Sequence, residues 1–185
     1  MLKIKTRIAS VLGSLLRATG MKRFVRNQDG VAAVEFALIA IPFFALLLAI
    51  FEIAFVILAQ QVLQTAVTKS ARLIMTGQAQ TQSMTATQFQ QNVGANVTIL
   101  SCGSVYVNVQ KLTSFSTISP LNPLQSGNFN SGSLSYNTGT PGDIMLVQVF
   151  YQLPVFVTPL GLNLSNMNGN MRLLVATAVF RNEPY

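Results

Sequence analysis

The chain has 185 residues, half of them hydrophobic and only 9% charged, against roughly 25% charged in an average soluble domain; the length suits one ordinary domain plus a further segment. Histidine is absent and Cys102 is the single cysteine, which excludes Ser-His-Asp and Cys-His catalysis, His-ligated metal and an intramolecular disulfide, so no catalytic residue, metal or cofactor is expected. Of the net charge of +7, +6 falls on the first 30 residues, where seven basic side chains face Asp29; basicity confined to one flank argues against a nucleic-acid partner and for a membrane segment with its N-terminal side in the cytoplasm.

Residues 1–20 place Ile4, Ile8, Leu12, Leu15 and Leu16 at helical spacing among basic residues. The pattern suits a weak amphipathic helix on an anionic leaflet, an organelle transit peptide, or a structureless basic tail, and the three readings stay open.

From Phe36 to Ala59 the sequence is apolar but for Pro42 and Glu52, and at about 1.5 Å per residue it is long enough to cross a hydrocarbon core of roughly 30 Å. No second span follows it. Beyond Ala59, Leu63, Ala66, Val67, Ala71 and Ile74 repeat at three and four residues as far as Gly77, a helix stop. Val31 to Thr76 therefore reads as one helix, about 69 Å long, half in lipid and half outside it. Pro42 lacks an amide hydrogen and crowds the carbonyl of Leu38, which predicts a kink.

In the Gln- and Thr-rich stretch that follows, Thr85 or Thr87 is placed to cap a short helix running through Val93. Val105, Val107 and Val109 alternate with Tyr106, Asn108 and Gln110, which predicts a half-buried strand. Residues 113–142 are dense in Ser, Asn, Gly and Pro and read as a long exposed loop. Strands are predicted over Asp143–Leu153 and Met171–Asn182. Three strands with one apolar face and a helix whose outer half is amphipathic need each other for burial. The fold class expected is α+β, a small antiparallel sheet packed on the C-terminal half of the long helix. The corresponding organisation is a basic leader over 1–30, a helix over 31–77 with its span at about 36–59, and an exported domain over 78–185.

The two carboxylates of the apolar region carry the functional argument, because an ionised group in a bilayer is costly and usually has a partner. Glu35 lies at the edge of the apolar run, where headgroups alone would accommodate it. Cleavage after Gly30, however, would leave Val31 as a new terminal amine with Glu35 four residues behind it. The amine occupies the positive end of its own helix. The two charges therefore pair more readily between neighbouring chains displaced along a common axis, and only the correct axial register satisfies both. Glu52 lies 17 residues beyond Glu35, about 25 Å along the helix and about 260° around it, so the two share neither proton nor metal. Three readings of Glu52 stay open: a protonated acid, an ion whose partner is on another helix, or a neutral residue near the interface. For Cys102 the alternatives are an intermolecular disulfide and a buried free thiol.

A basic leader, Gly30 at a scissile position, Glu35, and an apolar helix behind it resemble the class III signal of type IV pilin-like proteins, cleaved by a prepilin peptidase. More narrowly, "GVAAVEFALIAIPFFALLLAIFEIAF" followed by "VTKSARLIMTGQAQ" is similar to the TadE/TadG-like family of tight-adherence (Flp) pilus assembly proteins, and "PGDIMLVQVFYQLP" and "ATAVFRNEP" resemble its C-terminal regions. The resemblance implies a pilin-like fold and a minor pseudopilin, cleaved between Gly30 and Val31, with Glu35 and Phe36 opening an assembly helix. Implied partners are the prepilin peptidase, other pseudopilins and the Flp pilin, the inner-membrane assembly platform and the lipid bilayer. The implied location is the bacterial inner membrane, single-pass with the C-terminal domain periplasmic, or the extracellular pilus after incorporation. Two cysteines are common in the exported part of relatives; with Cys102 alone, an internal disulfide is not expected. The competing reading is an uncleaved bitopic adaptor of the secretion machinery. An exported hydrolase is disfavoured, because the apolar run is too long for a signal peptide and the exported part holds only Asp143 and Glu183 as carboxylates.

Overall fold

A computed structural model describes residues 30–98, 100, 102–156 and 161–185, without the side chains of Cys102 and Thr117; the expectations for residues 1–29 lie outside the described residues. The chain divides into two compact units, Met1–Phe44 and Ala45–Tyr185. The described part of the first is Gly30 and the opening turns of helix α1, which runs without a break over Val31–Met75, 45 residues with Pro42 inside it.

Within the second unit, α1 changes character at Ala59. Up to Leu58 most of its large apolar side chains are exposed, with Leu47 and Val56 half-buried and Ala45 and Ala49 buried; from Ala59 onward Leu63, Ala66, Val67, Ala71 and Ile74 are buried, at the three- and four-residue spacing that keeps them on one helix face. The small residues Ala59 and Ala66 belong to the same buried core as Leu63, Val67 and Ile74. Helix α1 ends at Gly77, whose φ of +76° is costly for residues with a Cβ, and whose missing side chain leaves room for the Tyr185 ring. Two short helices follow, α2 (Gln78–Thr81) and α3 (Ala86–Ala95). Of the two threonines the sequence offered, Thr85 caps α3. The Gln88 amide donates to Thr85 Oγ1 at 3.3 Å and the Thr85 amide to Gln88 Oε1 at 2.8 Å, a reciprocal capping box.

Among the described residues five strands follow: β1 (Val105–Leu112), β2 (Leu124–Gln125), β3 (Asn128–Phe129), β4 (Ile144–Pro154) and β5 (Met171–Arg181). The main sheet has the order β1-β4-β5 and is antiparallel, with Val109 opposite Val147 and Val147 opposite Ala178. Its inner face presents Val105, Val107, Val109, Met145, Val147, Val149, Leu174 and Ala176 to Leu63, Val67 and Ile74 of α1 and Phe89 and Val93 of α3, forming one core. The α+β architecture, a long helix with a small antiparallel sheet on its C-terminal half, is the one the hydrophobic pattern predicts.

The segment 113–142 departs from the expected exposed loop. Residues 121–137 fold over the outer face of the sheet, where Leu146, Gln148 and Phe150 of β4 are as buried as the inner-face residues between them. The physical reason is polar satisfaction. Gln148 and its cross-strand neighbour Asn108 are fully buried, and the segment supplies their partners: the Leu121 amide donates to Gln148 Oε1 at 2.9 Å and the Ser135 amide to Asn108 Oδ1 at 2.9 Å. Phe129, from the β2–β3 hairpin, lies between Tyr106 and Phe150 with ring centroids 4.6 and 5.9 Å away.

Both edges of the sheet are also covered, which blunts its capacity to pair with other strands. At β1, the Val109 amide donates to Ser135 O at 2.8 Å and the Asn137 amide to Val109 O at 3.0 Å. At β5, α1 substitutes side chains for a strand. Gln60 Nε2 donates to Val175 O at 2.7 Å, Gln64 Nε2 to Thr177 O at 3.0 Å, and the Thr177 amide to Gln64 Oε1 at 3.3 Å. One helical turn rises about 6 Å over four residues and two strand residues advance about 6.6 Å, so a glutamine pair at i and i+4 matches backbone groups at j and j+2.

Candidate membrane and assembly face

In the first unit, Gly30 and Glu35 are exposed, as are Val31 and Phe36, the latter at 71%. A Cβ added at Gly30 would meet nothing within 4 Å, so no packing within the described residues explains a glycine there. No ion pair joins Glu35 to another described residue. Val31, Glu35 and Phe36 thus stand together on the opening turns of α1, and Pro42 lies within the helix rather than ending it.

In the second unit, Glu52 is half-buried and has a partner. Its Oε1 accepts the backbone N–H of Phe156 at 2.6 Å. The sequence left open a partner on another helix, a protonated acid and a neutral residue near the interface; the partner found is a main-chain donor 104 residues away in the same chain. Cys102 opens a single 3-10 turn, Cys102–Ser104, and its side chain lies outside the described atoms.

The Leu112–Ile144 end of the sheet carries the one ion pair among the described residues, Lys111 Nζ to Asp143 Oδ1 at 2.8 Å. The bond from Lys111, reinforced by the Thr140 amide and hydroxyl, lowers the Asp143 pKa from 3.8 to about 2. Burial raises the phenol of Tyr136 above its ordinary value. Among the described residues no group of three or more His, Cys, Asp or Glu is placed to hold a metal.

One helix is long and apolar enough to cross a membrane, and most of its apolar window is exposed. Gln60, Gln64 and Phe156, which complete the junction between that window and the sheet, were not singled out by the sequence. The available signal was the pair of glutamines four residues apart immediately after the last apolar residue of the span. Against known proteins, residues 30–72 match the family model for TadE-like protein. No curated protein and no solved structure matches the chain.

Proposed function

We propose that this chain is a minor pseudopilin required for assembly of a tight-adherence (Flp) pilus, a structural subunit rather than an enzyme. The observation that carries the reading is that the TadE-like match opens on Gly30 and runs through the whole exposed band of α1 into the turns that support the sheet. On this reading a prepilin peptidase cuts between Gly30 and Val31 on the cytoplasmic face of the inner membrane, and the sheet domain lies in the periplasm. The exposed band is first covered by lipid and then, as the subunit enters an assembly, by helices of sister pseudopilins or the Flp pilin at the inner-membrane platform. Displaced copies of one helix make heterologous contacts that do not close, which is the geometry of a filament. Glu35 has no ionic partner among the described residues, and the new amine of an adjacent Val31 supplies one.

Mass spectrometry of the protein recovered from cells tests the reading. Expected is a chain beginning at Val31 when the peptidase is present and at Met1 when it is deleted; an intact Met1 terminus in cells with active peptidase refutes it and leaves the uncleaved adaptor. Glu35→Ala is expected to be cleaved normally but to lower pilus number, and wild-type piliation in that strain removes the register argument.

A further inference from the structure

We propose that Glu52 fastens the connection after β4 to the lipid-facing part of α1, so that Phe156 is a second membrane anchor, inserted among the acyl chains of the leaflet nearest the sheet. The inference rests on α1 spanning the membrane, but not on cleavage or on filament assembly.

Glu52 does not stand at the end of the apolar band. On the sheet side of it, Phe55, Ile57 and Leu58 remain 45–58% exposed, while Val56 between them is half-buried against the core and full burial on that side begins at Ala59. The lipid-compatible surface therefore continues six residues beyond Glu52, about 9 Å along the axis. Side chains on a helix lean toward its N-terminus, which sets the carboxylate no shallower than its own Cα. Since Glu52 Oε1 is 2.6 Å from the Phe156 amide nitrogen, that amide lies inside the band.

Its neighbours make this placement specific. Val155 turns inward, 6% exposed, and its amide donates to Asn170 O at 2.9 Å. Phe156, whose own amide and the amide before it are held by these two hydrogen bonds, points its ring outward at 80% exposure, the most exposed large apolar side chain among the described residues. In water that arrangement leaves an aromatic ring without cover; beside a membrane span, acyl chains cover it. The same bond resolves two liabilities together. A main-chain N–H in hydrocarbon needs an internal acceptor, and a carboxyl group at that depth needs a donor. Each is the other's partner. Glu52 is thus a positioning residue for a lipid contact, and what the contact requires of it is an acceptor oxygen rather than a charge.

The chain contains no tryptophan, so single Phe→Trp variants report depth directly. The full chain would be reconstituted in phosphatidylethanolamine–phosphatidylglycerol vesicles brominated at a shallow or a deep acyl position. Phe51→Trp, on the exposed band, reports the span. Phe115→Trp, beyond the Leu112–Ile144 end of the sheet, stands about 30 Å from the Pro154 end by strand length and reports water. Expected for Phe156→Trp is blue-shifted emission and a loss of intensity, greater with shallow than with deep bromines, while Phe115→Trp is unaffected. Adding Glu52→Leu should abolish that loss, and adding Glu52→Gln, which keeps an acceptor oxygen, should preserve it.

Quenching at Phe51→Trp without quenching at Phe156→Trp overturns the anchor and leaves the span standing. Loss at neither position overturns both. Emission from Phe156→Trp that changes with protein-to-lipid ratio but not with bromination assigns the ring to a neighbouring copy instead, and quenching that survives Glu52→Leu refutes the fastening.

Discussion

Gln64→Leu isolates the contribution of the helix side chains that close the β5 edge. The substitution removes two hydrogen bonds at once, from Gln64 Nε2 to Thr177 O and from the Thr177 amide to Gln64 Oε1. Helix propensity barely changes, because leucine and glutamine rank together. Gln64 is half-buried, so water replaces the lost partners only in part. At about 0.5–1.5 kcal/mol per hydrogen bond, the loss is about 1–3 kcal/mol, which for a chain of this size lowers Tm by about 2–12 °C. Gln60→Leu breaks one bond at a more solvated position and should cost about 0.5–1 kcal/mol. Gln61→Leu, one residue along and exposed, is the control that adds the same apolar side chain without touching the edge. The assay is thermal unfolding of the detergent-solubilised full chain followed by near-ultraviolet circular dichroism of its tyrosines. A Gln64→Leu midpoint within about 1 °C of both wild type and Gln61→Leu, below the low end of the conversion, would refute the edge-closing role.

Two further substitutions probe the rest of the sheet-bearing unit. Thr85→Ala removes the α3 cap and should cost about 1 kcal/mol, with amide hydrogen exchange accelerating across Ala86–Ala95 before the sheet responds; uniform acceleration would show that the box does not act locally. Asp143, with its folded pKa depressed to about 2, contributes stability that is fully present above the unfolded carboxylate pKa of about 3.9 and is lost as pH falls through about 2. The Tm difference between wild type and Asp143→Asn should therefore close as pH is lowered from about 5 to about 2, and a gap that stays constant over that range would contradict the Lys111 pairing as its source.

What the sequence made legible is what repeats locally. Helix α1 follows from an apolar run that turns into a three-and-four pattern, and β1 from valines at every second position. The α3 start was legible as a threonine cap, but Thr85 and Thr87 each stand three residues before a glutamine, so the choice of Thr85 came from the fold. Strand β4 was legible as a strand but not as a doubly buried one, since Leu146 and Phe150 are apolar among apolar neighbours and nothing in the period says that a second layer lies over them. That layer was read as loop because its hold on the sheet is polar and distant: Leu121 to Gln148 and Ser135 to Asn108 each span 27 residues and follow no period. The candidate site divides in the same way. Val31, Glu35 and Phe36 share the opening turns of one helix, so spacing alone places them together. Glu52 and Phe156 meet only because β4 runs back toward the apolar band, and that juxtaposition exists in the fold and nowhere in the local pattern.

The break at Ala59 bears on how one helix serves two surroundings. Before it, apolar side chains point in all directions; after it, small and apolar residues keep to one face while Gln60, Gln61, Gln64 and Thr65 take the others. A helix apolar all round gains little by leaving lipid for other helices, because lipid tails and leucine side chains are equally apolar. If the subunit moves from membrane to assembly as proposed, that step is thus decided by shape, by close backbone approach and by the few polar groups that must be matched. Glu52 is matched within its own chain and makes no such demand of a neighbour. Glu35, exposed and without an ionic partner among the described residues, does. On the proposed reading the polar specificity of assembly accordingly concentrates at the start of the helix, while the junction at Glu52 and Gln60 ties the sheet to the helix.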